Sequence, residues 1–156
     1  VFEDVLKEYW GWTVADFRRS LRQQLLAQKL LPVLDPGVAE RAKAAKMELD
    51  AGADFAATAK KYSDDVASKD TGGEYGYPID RANRDIAAQT TAALFALKPG
   101  QVSGVVNAGY SLEIVKNMEM QSDKVRAAHI SFTFKEISVY LNDIKDKKKA
   151  QLYIKP

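Results

Sequence analysis

Residues 51–65 read Ala-Gly-Ala-Asp-Phe-Ala-Ala-Thr-Ala-Lys-Lys-Tyr-Ser-Asp-Asp. Asp54 is a helix-capping residue, Phe55 starts an apolar face, and the short helix is expected to end near Tyr62, just before two adjacent carboxylates. Toward the N-terminus, Asp35-Pro36 is a helix start: a capping carboxylate, then proline at the first helical position. That helix should run to about Ala51, with Gly52 as its stop. Thr13, with Asp16 in the first turn, caps a longer amphipathic helix. Val14, Phe17, Leu21 and Leu25 recur there at three- and four-residue spacing, Leu26, Leu30 and Leu31 widen the stripe, and the pattern ends near Leu34. Residues 2–10 are also helical in pattern, and Gly11 interrupts them.

Toward the C-terminus, residues 63–85 hold Ser63, Gly72, Gly73, Gly76, Pro78 and several acidic residues, and read as a long functional or connecting loop. Asp85 is expected to cap a helix carrying Ile86, Thr90, Ala93, Leu94 and Leu97. Lys98-Pro99-Gly100-Gln101 is a turn. From Val102 the period changes to two. Strands are expected at 102–106, 110–120 and 124–134, the last with Ile130, Phe132 and Phe134 on one face and His129, Ser131 and Thr133 on the other. A helix at about 136–147 and a short strand at Leu152 and Ile154 follow. Helices followed by an antiparallel sheet make an α+β domain.

Composition narrows the chemistry. The 156 residues contain no cysteine and a single histidine, His129. Disulfide frameworks, cysteine nucleophiles, iron–sulfur clusters and two-histidine zinc sites are excluded. No P-loop and no D-x-D-x-D-G calcium loop is present, so no cofactor or metal is implied. A net charge of +2 argues against nucleic acid as a partner. Residues 124–156 carry eight Lys/Arg against three Asp/Glu, which reads as a solvated basic tail. No apolar run approaches the ~20 residues of a membrane span. The chain starts inside a helical pattern and reads as part of a longer protein.

Four fragments together carry a family resemblance: Ala51–Asp65; Gly72-Gly73-Glu74-Tyr75-Gly76; Ala93-Leu-Phe-Ala-Leu-Lys-Pro-Gly-Gln-Val-Ser-Gly104; and Glu113-Ile-Val-Lys116. In order and spacing they resemble the parvulin (PpiC-type) peptidyl-prolyl isomerases. Residues 3–34 are similar to the helical region that precedes this domain in SurA/PrsA-like extracytoplasmic foldases. The resemblance implies a parvulin-like, four-stranded antiparallel sheet with surrounding helices. It divides the chain into a helical chaperone-like segment (1–34), the parvulin-like domain (35–134), and a C-terminal helix and short strand packed on it (135–156).

One piece is displaced. The family strand resembling Ala-Arg-His-Ile-Leu precedes the first helix, yet here Asp35-Pro36 leaves no room for it. Val125-Arg-Ala-Ala-His-Ile-Ser131 stands after the last strand instead. A short turn at Gln121–Asp123 would return it to its place beside 110–120, giving a circularly permuted fold whose first strand comes from residues 124–134. The rivals are a domain-swapped dimer, in which this strand completes a neighbouring chain's sheet, and a strand that opens a second, truncated domain.

The resemblance also assigns residues. Asp65 falls where the family has Asp or Cys beside the rotating bond, and His129 where its first histidine sits. The second histidine is missing: Glu113 takes its place in an ungapped alignment, Ser111 in the alternative. A Glu113–His129 pair needs both residues on one sheet face, hence an odd number of residues in the hairpin loop. Of the family's proline-pocket wall, two positions fall on Ile86 and Thr90, and its glutamine falls on Ala87. Tyr75, Ile79 and Ile86, with Leu94 behind and Ser131 on the adjoining strand, would rebuild a substrate-binding wall. The expected activity is isomerisation of X–Pro bonds in unfolded or extended clients of an extracytoplasmic compartment, with any membrane anchor lying outside this stretch. The alternative is a weak or inactive parvulin module acting as a chaperone or peptide-binding domain.

Overall fold

A computed structural model describes residues 1–148. Two helices, α1 (Phe2–Trp10) and α2 (Val14–Leu34), lead into α3 (Pro36–Asp50) and α4 (Phe55–Tyr62). A two-residue strand β1 (Ile79–Asp80), helix α5 (Ala88–Ala96), strands β2 (Val106–Asn107), β3 (Ser111–Gln121) and β4 (Lys124–Thr133), and helix α6 (Ile137–Lys148) follow. The strands form one antiparallel sheet in the order β1-β4-β3-β2.

The helix boundaries follow local chemistry. Gly11 closes α1 in the left-handed conformation that glycine adopts without a Cβ clash. Thr13 and Asp16 form a reciprocal capping box at the start of α2. The Asp54 side chain accepts the Ala57 N–H to cap α4. Two expected caps are not made. The Asp35 carboxylate accepts the Tyr140 hydroxyl at 2.8 Å instead of capping α3. Asp85 does not cap α5, which begins at Ala88. Asn83 Oδ1 accepts the N–H groups of Asp85 and Ile86, each at 3.0 Å, and so keeps residues 83–86 in a turn.

Each face of the sheet carries its own core. Leu112, Ile114, Ala128, Ile130, Phe132 and Phe134 pack against α3, α4 and Leu31 of α2. Val115, Val125 and Ala127 pack on the opposite face against Ile79, Leu94 and Ile86. The alternation expected along 124–134 is therefore the one found. The strand expected at 102–106 shortens to Val106–Asn107, with Val102 making only a bridge to Lys116. The strand at Ile79–Asp80 lies inside the expected loop. Leu152 and Ile154 lie outside the described residues.

Residues 124–133 pair with 111–121 of the same chain, through a turn of Ser122 and Asp123. Among the described residues this strand is thus the last one and lies next to β3, as the permuted arrangement requires, and no second copy is needed to complete the sheet. The turn has two residues, an even number, which by itself would put Glu113 and His129 on opposite faces. A β-bulge at Met118, between the Asn117–Ala127 and Glu119–Arg126 pairs, restores the parity. Glu113 then pairs with Ser131 and Val115 with His129, so Glu113 and His129 stand diagonally on one face.

Candidate active site

The site forms where residues 63–75 run along the edge of β4 that faces away from β3, beyond its short pairing with β1. The Asp64 N–H donates to the Ser131 carbonyl (2.8 Å), the His129 N–H to the Gly73 carbonyl (2.8 Å), and the Tyr75 N–H to the Ala127 carbonyl (3.1 Å). Ser63 Oγ accepts the Ser131 N–H at 3.1 Å. Close approach here demands glycine. Gly73 has φ +80°, and a Cβ on it would stand 2.1 Å from the His129 carbonyl oxygen.

This stitching brings Asp65 to His129. Asp65 Oδ2 lies 2.9 Å from His129 Nε2. Ser68 Oγ donates to the same carboxyl and lies 3.1 Å from Nε2. The Ala67 N–H donates to Oδ1 at 3.1 Å. The Ser68 hydroxyl foremost holds the Asp65 carboxyl below the usual range; burial opposes it, and the imidazole contact assists. An ionised carboxylate only accepts, so geometry assigns the proton to Nε2 of His129. Nδ1 is then buried without a hydrogen-bond partner. The Tyr75 ring packs on the imidazole, centroids 4.3 Å apart, and Tyr77 meets Tyr75 edge-on at 6.4 Å. Burial, with Glu113 adding, raises the Tyr75 phenol and keeps it protonated.

Glu113 shares this face but does not pair with the histidine. It accepts the Thr90 hydroxyl at 2.7 Å and the Ser111 hydroxyl at 3.2 Å. The imidazole's carboxylate partner is Asp65. Of the expected wall, Tyr75 and Ile86 are partly buried and reach the surface, whereas Ile79, Leu94 and Thr90 have no exposed surface and Ser131 is buried. Ile79 and Leu94 therefore support Tyr75 and Ile86 from the core beneath, and Thr90 orients Glu113.

Ser68 is the residue that sequence reading missed. Its signal was an Asp-x-x-Ser spacing at the start of a loop, where a hydroxyl three residues on returns to the carboxylate. The spacing is too common to have pointed to a histidine 61 positions away.

A half-buried imidazole–carboxylate pair under a tyrosine, whose neighbouring hydroxyl, Ser68, donates to Asp65 and meets a protonated Nε2 that cannot act as its base, suits binding and distorting a backbone rather than breaking a bond. The model of the rotamase family, the PPIC-type PPIASE domain, matches residues 35–119, and the chain belongs to this family. The match stops short of β4, the strand that carries His129. Foldase protein PrsA of Clostridium kluyveri is 30% identical over 147 residues, 94% of this chain and 38% of that protein. Foldase protein PrsA of Geobacillus sp. (strain WCH70) is 32% identical over 109 residues, 70% of this chain and 37% of that protein. The chain thus spans well under half the length of these relatives. The crystal structure of the peptidylprolyl isomerase PrsA from Bacillus anthracis aligns over 97% of this chain and 74% of that one, at 22% identity and a TM-score of 0.37.

Proposed function

We propose that the chain is the isomerase domain, with its leading helices, of an extracytoplasmic foldase that catalyses cis–trans exchange of X–Pro bonds in extended clients. The observation that carries this reading is the Asp65–His129 pair beneath Tyr75, within a chain of the rotamase family. The barrier to exchange is the loss of amide resonance, about 18–20 kcal/mol, so no nucleophile, metal or cofactor is required. In the planar amide the carbonyl oxygen carries extra negative charge, and twisting removes it. A carboxylate held ionised beside that oxygen raises the planar form relative to the twisted one, which is differential binding of the transition state. Ser68 and the His129 N–H fix that carboxylate in place. Tyr75 and Ile86 offer the apolar surface for the proline ring, with Ile79 and Leu94 as their support.

In this reading residues 1–34 are a chaperone-like arm, 35–134 form the isomerase domain, and α6 packs on it through Ile137 and Tyr140. Any membrane anchor belongs to the longer protein. Among the described residues no helix is long and apolar enough to cross a membrane.

The second reading is a peptide-binding module with little catalysis. It is favoured by Glu113 where the resemblance expects a histidine, held by Thr90 rather than by His129. The exposed Leu21, Leu25, Leu26 and Leu30 on α2 would then bind apolar client segments. Exchange NMR on an Ala-Pro peptide separates the two. The isomerase reading expects exchange to accelerate in proportion to protein concentration; no acceleration at a high concentration rejects it. Suppression of client aggregation without acceleration supports the second.

A further inference from the structure

Asp64, the neighbour of Asp65, points to the opposite side of the chain and is tied down there. Its carboxylate accepts both ends of the Arg41 guanidinium, NH2 to Oδ1 at 2.6 Å and NH1 to Oδ2 at 3.2 Å. Its Oδ2 also accepts the Thr133 N–H at 2.9 Å. Arg41 NH2 further donates to the Tyr62 carbonyl at 2.9 Å, at the last residue of α4, and the guanidinium lies over the Phe132 ring, 5.7 Å from its centroid. One arginine of α3 thus holds the end of α4, the Asp64 carboxylate and the strand that carries His129.

We infer that Arg41 and Asp64 form a clamp that positions Asp65 on His129, and that they act on the isomerisation through that pair without touching the client. The link to catalysis rests on the isomerase reading; the clamp itself does not. The chain between α4 and Asp65 is only Ser63-Asp64, so any shift of Asp64 along β4 passes directly to Asp65. Ser63 closes the other side, since its hydroxyl accepts the N–H groups of both Ser131 (3.1 Å) and Asp65 (3.3 Å). The Asp65–His129 contact is a single hydrogen bond at a partly exposed site, and a displacement of about 1 Å is enough to cost a catalytic arrangement much of its rate. The fork geometry is specific to arginine, because a lysine ammonium is a point donor that cannot span both carboxylate oxygens and the Tyr62 carbonyl.

Arg41 is 44% exposed and Asp64 31%, so Arg41→Gln is expected to leave the fold intact. His129 is the chain's one histidine, so the imidazole nitrogens of 15N-labelled protein give the spectrum of a single ring. At a pH where that ring is neutral, the parent chain should show the Nε2-protonated tautomer alone. Arg41→Gln should show a mixture of tautomers, with kcat for the Ala-Pro peptide down about tenfold and KM within about twofold. Arg41→Lys should fall between the two. An unmixed Nε2 tautomer in Arg41→Gln overturns the clamp, whatever the rate does. Mixed tautomers with an unchanged kcat overturn its link to catalysis. A parent chain that shows the single tautomer yet accelerates no exchange contradicts the isomerase reading and leaves the clamp supported by the spectra.

Discussion

His129 Nε2 and Asp65 Oδ2 lie 2.9 Å apart although 64 positions separate the two residues in the chain. The contact exists because the loop after α4 is hydrogen-bonded along the edge of β4, and β4 is delivered to that loop by a tight turn from β3. Helix end, strand edge and hairpin all converge on this one pair.

The pair makes stability depend on acidity. The Asp65 carboxyl is held below its usual value, so in the unfolded chain it binds a proton at a higher pH than in the folded one. Its contribution is full above the unfolded value of about 4 and is lost as pH falls through the lower folded value. Urea unfolding of the parent chain and Asp65→Asn, followed from pH 7 to pH 3, should show a stability gap that narrows below about pH 4. A gap that stays constant across this range would contradict the assignment.

Gly73→Ala and Gly76→Ala make a controlled comparison. Both glycines have positive φ, +80° and +79°, but a Cβ meets the His129 carbonyl oxygen at 2.1 Å in the first and nothing within 4 Å in the second. Gly76→Ala should cost about 1–2 kcal/mol, the left-handed penalty alone. Gly73→Ala adds a backbone clash and should cost at least about 2 kcal/mol more. Chemical denaturation measures both, and equal losses would show that the loop does not press on β4 as described.

Met118 is the extra residue of the bulge, and its side chain is partly buried against the core that faces α3. Deleting it makes Asn117–Ala127 and Glu119–Arg126 successive pairs, so the register from Ser111 to Gln121 and both cores are kept. The deletion variant is therefore expected to keep a cooperative thermal transition in circular dichroism, losing only the packing of one methionine. Loss of the cooperative transition would mean that β3 is not aligned on β4 as these pairs place it.

This bulge also marks the limit of what was legible. Helix starts at Thr13 and Asp54, the stop at Gly11 and the alternation along 124–134 follow from local chemistry, and each stands where those residues imply. The pairing of 111–121 with 124–133 was readable because a short turn separates two strands of period two. The parity was not, because an extra residue at Met118 changes no side-chain pattern and is settled by which faces find cores. Asp85 misled for a local reason: Asn83 takes the N–H groups of Asp85 and Ile86 and holds residues 83–86 in a turn, so α5 begins only at Ala88. Asp65 and His129 were reachable through family resemblance. Ser68 and Arg41 were not, since their roles exist only once α3, the loop and β4 are assembled.

Glu113 and Thr90 should behave as a unit. Thr90 has no exposed surface, and its hydroxyl donates to Glu113. Glu113→Ala leaves that hydroxyl buried without its partner, at a cost of about 1–3 kcal/mol. Adding Thr90→Val removes the orphaned group, so the double variant should be less destabilised than the two single losses summed. Strict additivity in denaturant unfolding would show that the contact contributes nothing.

The central claim is that Asp65 and His129 act as one catalytic unit on the X–Pro bond. Exchange NMR on an Ala-Pro peptide, run with the parent chain, Asp65→Ala, His129→Ala and the double variant, tests it most directly. Acceleration by the parent, lost to a similar extent in all three variants, is the expected result, because removing either partner already dismantles the unit. Losses that multiply in the double variant, or a parent chain that accelerates nothing, would contradict it.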